Sequence, residues 1–106
     1  MIRSVLTLHT TPAQADSVLE LYRREAILQE SLDLTRAFSS EIATAVDGSG
    51  EIIVTAVWPD EAAYQEWLDH PNRARTAPEL SALLADARIG VGRLYEVDHR
   101  VSRTEI

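Results

Sequence analysis

The chain has 106 residues, 45% hydrophobic and 25% charged, the make-up of one folded domain and not of a disordered segment. Its 17 acidic side chains against 10 basic ones leave a net charge of -7, which argues against the basic face that a nucleic-acid partner requires. All the basic residues are arginine and no cysteine is present, so a lysine Schiff base, a P-loop lysine, a thiol nucleophile, a disulfide and a thiolate metal site are excluded.

Ile2 to His9 alternates as a strand, with Ile2, Leu6 and Leu8 on one side and Val5 on the other. Thr11, Pro12 and Gln14 have the form of a capping box with proline at the first helical position. The helix that follows is predicted to run to about Leu32. Ala15, Val18, Leu19, Tyr22 and Ala26 make its buried stripe, widened by Leu28 and Leu32. From Arg36 to Val46 the period becomes two, with Phe38, Ile42 and Val46 on one parity and Glu41 on the other.

Asp47-Gly48-Ser49-Gly50 is a turn that joins this strand to the next as a hairpin. Glu51 to Trp58 is apolar on both parities, which predicts a strand buried on both faces. Asp60 is placed to cap a helix reaching about His70, with Ala63, Tyr64, Trp67 and Leu68 on its buried edge. Pro71 stops that helix. Thr76 and Glu79 suggest a second capping box and a helix through Leu80, Leu83, Leu84 and Ala87. The last strand is predicted over about Ile89 to Val101, followed by a polar tail over about 102–106.

The order β-α-β-β-α(α)-β is that of a ferredoxin-like α+β fold, a four-stranded antiparallel sheet with helices on one face. The whole chain reads as one domain. Ile53 and Val57 then point to the face the helices leave bare, and a second copy of the same face is the simplest cover. The expectation is a homodimer with two sheets face to face. The N-terminal segment lacks a signal-type apolar core and no apolar run approaches the roughly 20 residues of a membrane helix. A cytoplasmic protein without membrane contact is expected.

Few residues carry chemistry. His9 ends the first strand, His70 closes a helix beside Pro71, and His99 lies late in the last strand. Each could act as a base near neutral pH, while His70 also suits the electrostatics of a helix C-terminus. No two histidines stand at metal-ligand spacing, so no metal site is expected. Gly90-Val91-Gly92 lacks the third glycine of a dinucleotide fingerprint. Arg36 could orient an anionic substrate or end a solvated strand. Glu41 could face solvent or a dimer partner, with Arg93 an available counter-charge.

The stretch Glu51 to Trp58, then Pro59-Asp60, then Glu61-Ala62-Ala63-Tyr64-Gln65-Glu66-Trp67-Leu68-Asp69-His70-Pro71, resembles the antibiotic biosynthesis monooxygenase family of dimeric α+β barrels. In that family a central strand ends in tryptophan and a tryptophan-bearing helix follows directly. The pattern extends over roughly Ile2 to Val101. The resemblance implies a homodimer with a pocket between sheet and helices in each subunit. It also implies oxidation of phenolic or polyketide-like aromatic molecules by dioxygen, without metal, flavin or heme.

On that reading Trp67 stacks on the substrate or, alternatively, plugs the core. Tyr64 donates a hydrogen bond to the substrate or sits at the rim. Phe38 helps to hold the ring, Trp58 is a pocket wall or an anchor for the turn after it, and His70 or His9 serves as base. Heme-degrading relatives place an asparagine on the first strand and a histidine about ten residues after the tryptophan. Here Asn72 is the sole asparagine, and Thr76 and Ala77 stand where the histidine would be, so heme degradation is disfavoured. An isomerase or cyclase using the same pocket, or a ligand-binding dimer without catalysis, are the alternative readings.

Overall fold

A computed structural model describes residues 1–84 and 92–103 of the chain. Four strands form one antiparallel sheet: β1 (Ile2–His9), β2 (Ser39–Thr44), β3 (Glu51–Trp58) and β4 (Arg93–Glu96), in the order β2-β3-β1-β4. β1 and β3 pair along their full length, from Ile2 opposite Trp58 to His9 opposite Glu51. Helices α1 (Pro12–Arg24) and α2 (Ile27–Leu34) connect β1 to β2. Helix α3 (Glu61–Asp69), a 3-10 turn (Pro71–Ala74) and helix α4 (Ala77–Leu83) follow β3. This is the predicted ferredoxin-like architecture, each parallel strand pair being split by an inserted neighbour.

The β2–β3 hairpin forms where the glycine-rich turn placed it. Gly48 and Gly50 have φ of 77° and 85°, in the left-handed region that favours glycine. The Asp47 carboxylate accepts from the Ser49 amide at 2.9 Å, an Asx turn. Gly50 is required twice over, because a Cβ there would lie 2.6 Å from the Thr10 carbonyl oxygen. Asp60 caps α3 as expected, accepting from the Ala63 amide at 2.8 Å.

Neither threonine box forms. Thr11 and Thr76 occupy N-cap positions, yet neither side chain makes a cap bond. Glu79 is engaged instead by Arg24 across the helix pair. Thr10 uses its hydroxyl to donate to the Leu83 carbonyl at 2.7 Å, which satisfies an otherwise orphaned acceptor in the last turn of α4.

The long first helix of the sequence reading is two helices. Ala26 adopts φ 50° and breaks it, although neither glycine nor proline marks the place. Arg75 holds the break together: it donates to the Glu25 carbonyl and carboxylate at 2.7 Å and pairs with Glu30 at 2.9 Å. The second strand is shorter than its alternating pattern, and so is the last. Val91 and the helix extension to Ala87 lie outside the described residues. Val97 still bonds to the Met1 carbonyl at 2.9 Å, but His99 lies beyond β4 and is exposed.

Helices cover the sheet face of Ile2, Ser4, Leu8, Ile52, Ala56 and Trp58, all buried. The core is divided. One cluster gathers Leu8, Val18, Leu21, Tyr22, Ile52 and Leu80, and the other Ile2, Ala56, Trp58, Ala63, Tyr64 and Trp67. On the opposite face Val5, Ile53, Thr55 and Val57 are half-buried within one chain, so the two-sided burial read for β3 is not complete in a single subunit. Within one chain Glu41 and Arg93 stand on the two opposite edges of the sheet, β2 and β4. Glu41 accepts instead from Thr55, and Arg93 lies over the Tyr95 ring. No helix among the described residues is long and apolar enough to cross a membrane.

Candidate functional site

Between the two core clusters lies a cavity of about 150 Å³, the scale at which an apolar cavity accommodates a benzene-sized ring. Its floor is the helix-facing parity of β1 and β3: Ser4, Leu6, Val54, Ala56 and Trp58. α1 and α2 supply Tyr22, Ile27 and Leu28 as one wall, and α3 supplies Tyr64 and Trp67 as the other. The helix break is what turns Ile27 and Leu28 into this space, since Ala26 itself is exposed.

The aromatic wall is built in layers. Trp58 is buried at 1% exposure and donates its indole Nε1–H to Ser4 Oγ at 2.9 Å, so a core polar group is satisfied by the ring that covers it. Tyr64 packs edge-on to Trp58 with ring centroids 5.2 Å apart. Its hydroxyl oxygen accepts from the Gly92 amide at 2.9 Å, which fixes the ring and leaves the phenolic proton to be donated. A Cβ at position 92 would stand 2.9 Å from the Tyr64 hydroxyl, so a side chain there would displace that contact. Trp67, three residues on along α3, is buried beside them and tilts against the His70 ring at 6.2 Å.

The residues singled out in the sequence therefore divide. Trp58, Tyr64 and Trp67 converge on the cavity. Phe38 does not: it precedes β2 at the sheet edge and is 62% exposed, while Ala37 packs on the Trp58–Trp67 cluster in its place. Arg36 is also outside, drawn to Glu66 at 2.9 Å and Asp60 at 3.4 Å, where it ties the approach to β2 onto α3. His9 is exposed at the far end of β1. His70 is not in the lining either: its Nδ1 accepts from the Asn72 amide at 3.1 Å and caps the 3-10 turn.

Two ionisable lining residues are new to the site. Arg73 enters from the 3-10 turn and Tyr22 from α1. Tyr22 had a visible signal, a phenol set in an otherwise aliphatic helical stripe. Arg73 had none, because only the turn after Pro71 directs it inward. Burial pushes the Tyr22 phenol up from 10.0 to about 12, against the opposing field of Arg73. It therefore stays protonated, and a donor, at any ordinary pH.

That shift has a measurable consequence. The folded protein holds the Tyr22 proton more tightly than the unfolded chain does, so its contribution is complete below pH 10.0 and is lost as the pH rises toward about 12. Two pH units correspond to about 3 kcal/mol at most. Urea unfolding of wild type and Tyr22→Phe on both sides of pH 10.0 tests this. The wild type is expected to lose stability relative to the variant only on the alkaline side. Parallel stability curves would show that the phenol ionises in place.

Among the described residues no group of three or more histidines, aspartates and glutamates converges as a metal site. Fold and cavity together define a ferredoxin-like α+β domain with an aromatic-walled cavity between sheet and helices. The chain belongs to the antibiotic biosynthesis monooxygenase family, whose model matches residues 1–79.

Solved structures share the architecture. ActVA-Orf6, a monooxygenase of Streptomyces coelicolor solved with nanaomycin D, aligns with a TM-score of 0.70 at 20% identity, covering 96% of this chain and 89% of that one. SnoaB, a cofactor-independent oxygenase of Streptomyces nogalater, aligns at 0.63 and 20% identity over 96% of this chain and 95% of its own. Rv0793 of Mycobacterium tuberculosis aligns at 0.73 and 16% identity over 95% and 98%. At such identities the likeness establishes the fold. No curated protein matches the sequence.

Proposed function

We propose that this protein is a cofactor-independent monooxygenase that oxidises a phenolic or polyketide-like aromatic molecule to a quinone or hydroxylated product. The observation that carries the reading is a cavity lined by the rings of Trp58, Tyr64 and Trp67 together with the aliphatic side chains of Leu6, Ile27 and Leu28. Such a slot takes a flat ring and offers it few polar contacts. Family membership, and the fold shared with a monooxygenase solved with nanaomycin D and with a cofactor-independent oxygenase, support the same direction.

The chemistry asks little of the protein. A ring system bearing an activated methylene loses one proton to give a delocalised anion. That anion passes one electron to dioxygen, and the resulting radical and superoxide join as a carbon-bound peroxide. Protonation and loss of water, which carries away the second methylene hydrogen, leave a carbonyl. One dioxygen is consumed, one of its oxygen atoms entering the product and the other leaving as water. The pocket binds the ring, excludes bulk water and holds the anion. Trp67 and Trp58 stack on the ring, and Tyr64 donates to a substrate oxygen. The working form is a homodimer whose sheets meet through the face of Val5, Ile53 and Val57.

The test is oxygen uptake by purified protein on a panel of anthrone-type substrates, without added metal, flavin or heme. Its solution mass is measured in the same samples. One dioxygen consumed per product, by a species of twice the 11.8 kDa chain mass, is the expected result. Product formed equally well under nitrogen would overturn it in favour of an isomerase or cyclase. Thermal stabilisation by the same compounds without turnover would point to a ligand-binding dimer.

A further inference from the structure

The lining of the cavity has an unusual charge inventory. Among the described residues it contains no aspartate, no glutamate and no histidine; its ionisable groups are Tyr22, Tyr64 and Arg73. Five carboxylates on or beside the neighbouring elements are committed to arginines away from the lining. Glu25 and Glu30 at the helix break pair with Arg75, and Glu79 on α4 pairs with Arg24. Asp60 at the N-cap of α3 and Glu66 within that helix are taken by Arg36. His70 is occupied as a cap by the Asn72 amide.

A cavity of this kind has cationic and neutral donors but no proton acceptor of ordinary basicity. Arg73 has a further interaction of its own, yet a guanidinium presents five N–H donors and serves more than one partner at a time. Tyr22 makes no side-chain hydrogen bond to any described residue, and no sealed polar atom is left unsatisfied among them, so its hydroxyl is open to whatever enters. Charge-assisted bonds from such donors to an oxyanion are about twice as strong as neutral ones. Transfer of a neutral phenol into the slot forgoes that gain.

We propose that the cavity selects the already ionised form of an acidic hydroxyaromatic molecule, seating its oxyanion on the Arg73 guanidinium with the Tyr22 hydroxyl as second donor, so that no protein base removes the proton. This rests on the proposed oxygenase reading only for the fate of the anion; the selection itself is a matter of binding. The substrate class narrows accordingly, to phenols or enols acidified by a conjugated carbonyl or a second ring. The proton leaves to solvent before entry, and the electron-rich anion arrives in the form that can reduce dioxygen.

The probes are 4-nitrophenol, the more acidic 2,4-dinitrophenol and the methyl ether 4-nitroanisole, none of which has the activated methylene that the proposed oxidation requires. Binding is followed across pH by indole fluorescence quenching. Affinity for each phenol is expected to rise through that phenol's own pKa, so the two midpoints differ, while the ether shows no pH dependence. Arg73→Met should weaken phenolate binding about tenfold or more and leave the ether unchanged, the latter serving as the check that the cavity is intact. Tyr22→Phe should weaken phenolate binding severalfold in the same selective way.

A midpoint common to both phenols would reveal a titrating protein group and overturn the proposal. Equal affinity for ether and phenolate, or failure of all three probes to bind, would overturn it as well. Anion-selective binding in a protein that never consumes oxygen would sink the oxygenase reading and leave this inference standing.

Discussion

Replacing Trp67 by alanine is expected to lower kcat/KM for an aromatic substrate by about a hundredfold or more. The indole forms part of the cavity wall, with the tilted His70 ring 6.2 Å away between centroids. A stacked aromatic pair contributes about 0.5–1.5 kcal/mol beyond the area it removes from water, and that area adds about 2 kcal/mol. Together these amount to roughly the 2.8 kcal/mol of a hundredfold change. Because Trp67 is only 9% exposed, alanine also opens a void that destabilises the fold by about 3–5 kcal/mol.

Trp67→Phe separates the two effects. It keeps a ring in the wall and most of the buried volume, and should retain most of the fold and a fraction of the activity well above that of alanine. Steady-state oxygen uptake, read beside thermal unfolding of each variant, decides the matter. Unchanged kcat/KM in a folded Trp67→Leu protein would mean that the indole merely fills space.

Truncating Trp58 should likewise damage stability severely. Trp58→Ala removes a side chain at 1% exposure from the second core cluster and is expected to lower the unfolding free energy by about 3–5 kcal/mol. Domains of this size have about 5–15 kcal/mol in total. Trp58→Phe isolates the polar part of the loss. Ser4, itself 5% exposed, loses the Nε1–H donor that it accepts at 2.9 Å, and the expected change is about 2 kcal/mol.

A double-mutant cycle in urea makes the argument quantitative. Ser4→Ala alone strands the indole N–H. Ser4→Ala combined with Trp58→Phe removes both partners and should be less destabilising than the two single losses added together. Strict additivity would show that the buried bond contributes nothing, and that Trp58 acts through volume alone.

Much of this architecture is legible without coordinates, for a local reason. Strand periodicity, the turn at Asp47–Gly50, the Asp60 cap and the stop at Pro71 are each decided by residues within a few positions of one another. Positive φ at a glycine and the missing N–H of proline act wherever they stand. The doubly apolar run of β3 likewise identified the central strand, since it carries a helix-covered face and a second apolar face. The aromatic wall followed from spacing along one short helix, which sets Tyr64 and Trp67 on the same side.

The rest was decided by partners distant in the chain. Nothing near Ala26 forbids a continuous helix; the break belongs with Arg75, some 50 residues away from Glu25. That break admits Ile27 and Leu28 to the cavity. Arg36 could have faced a substrate, but Glu66 and Asp60 on the neighbouring helix claim it, whereas Arg73, unremarkable in sequence, is turned inward by the 3-10 segment that Pro71 opens. Phe38 has the right parity, yet it stands just before an edge strand and is left exposed. The order of elements and the identity of the ring-bearing helix were thus properties of the sequence by itself. Which polar groups reach the cavity was settled only by tertiary packing, because burial and ion pairing depend on residues that the chain brings together across tens of positions.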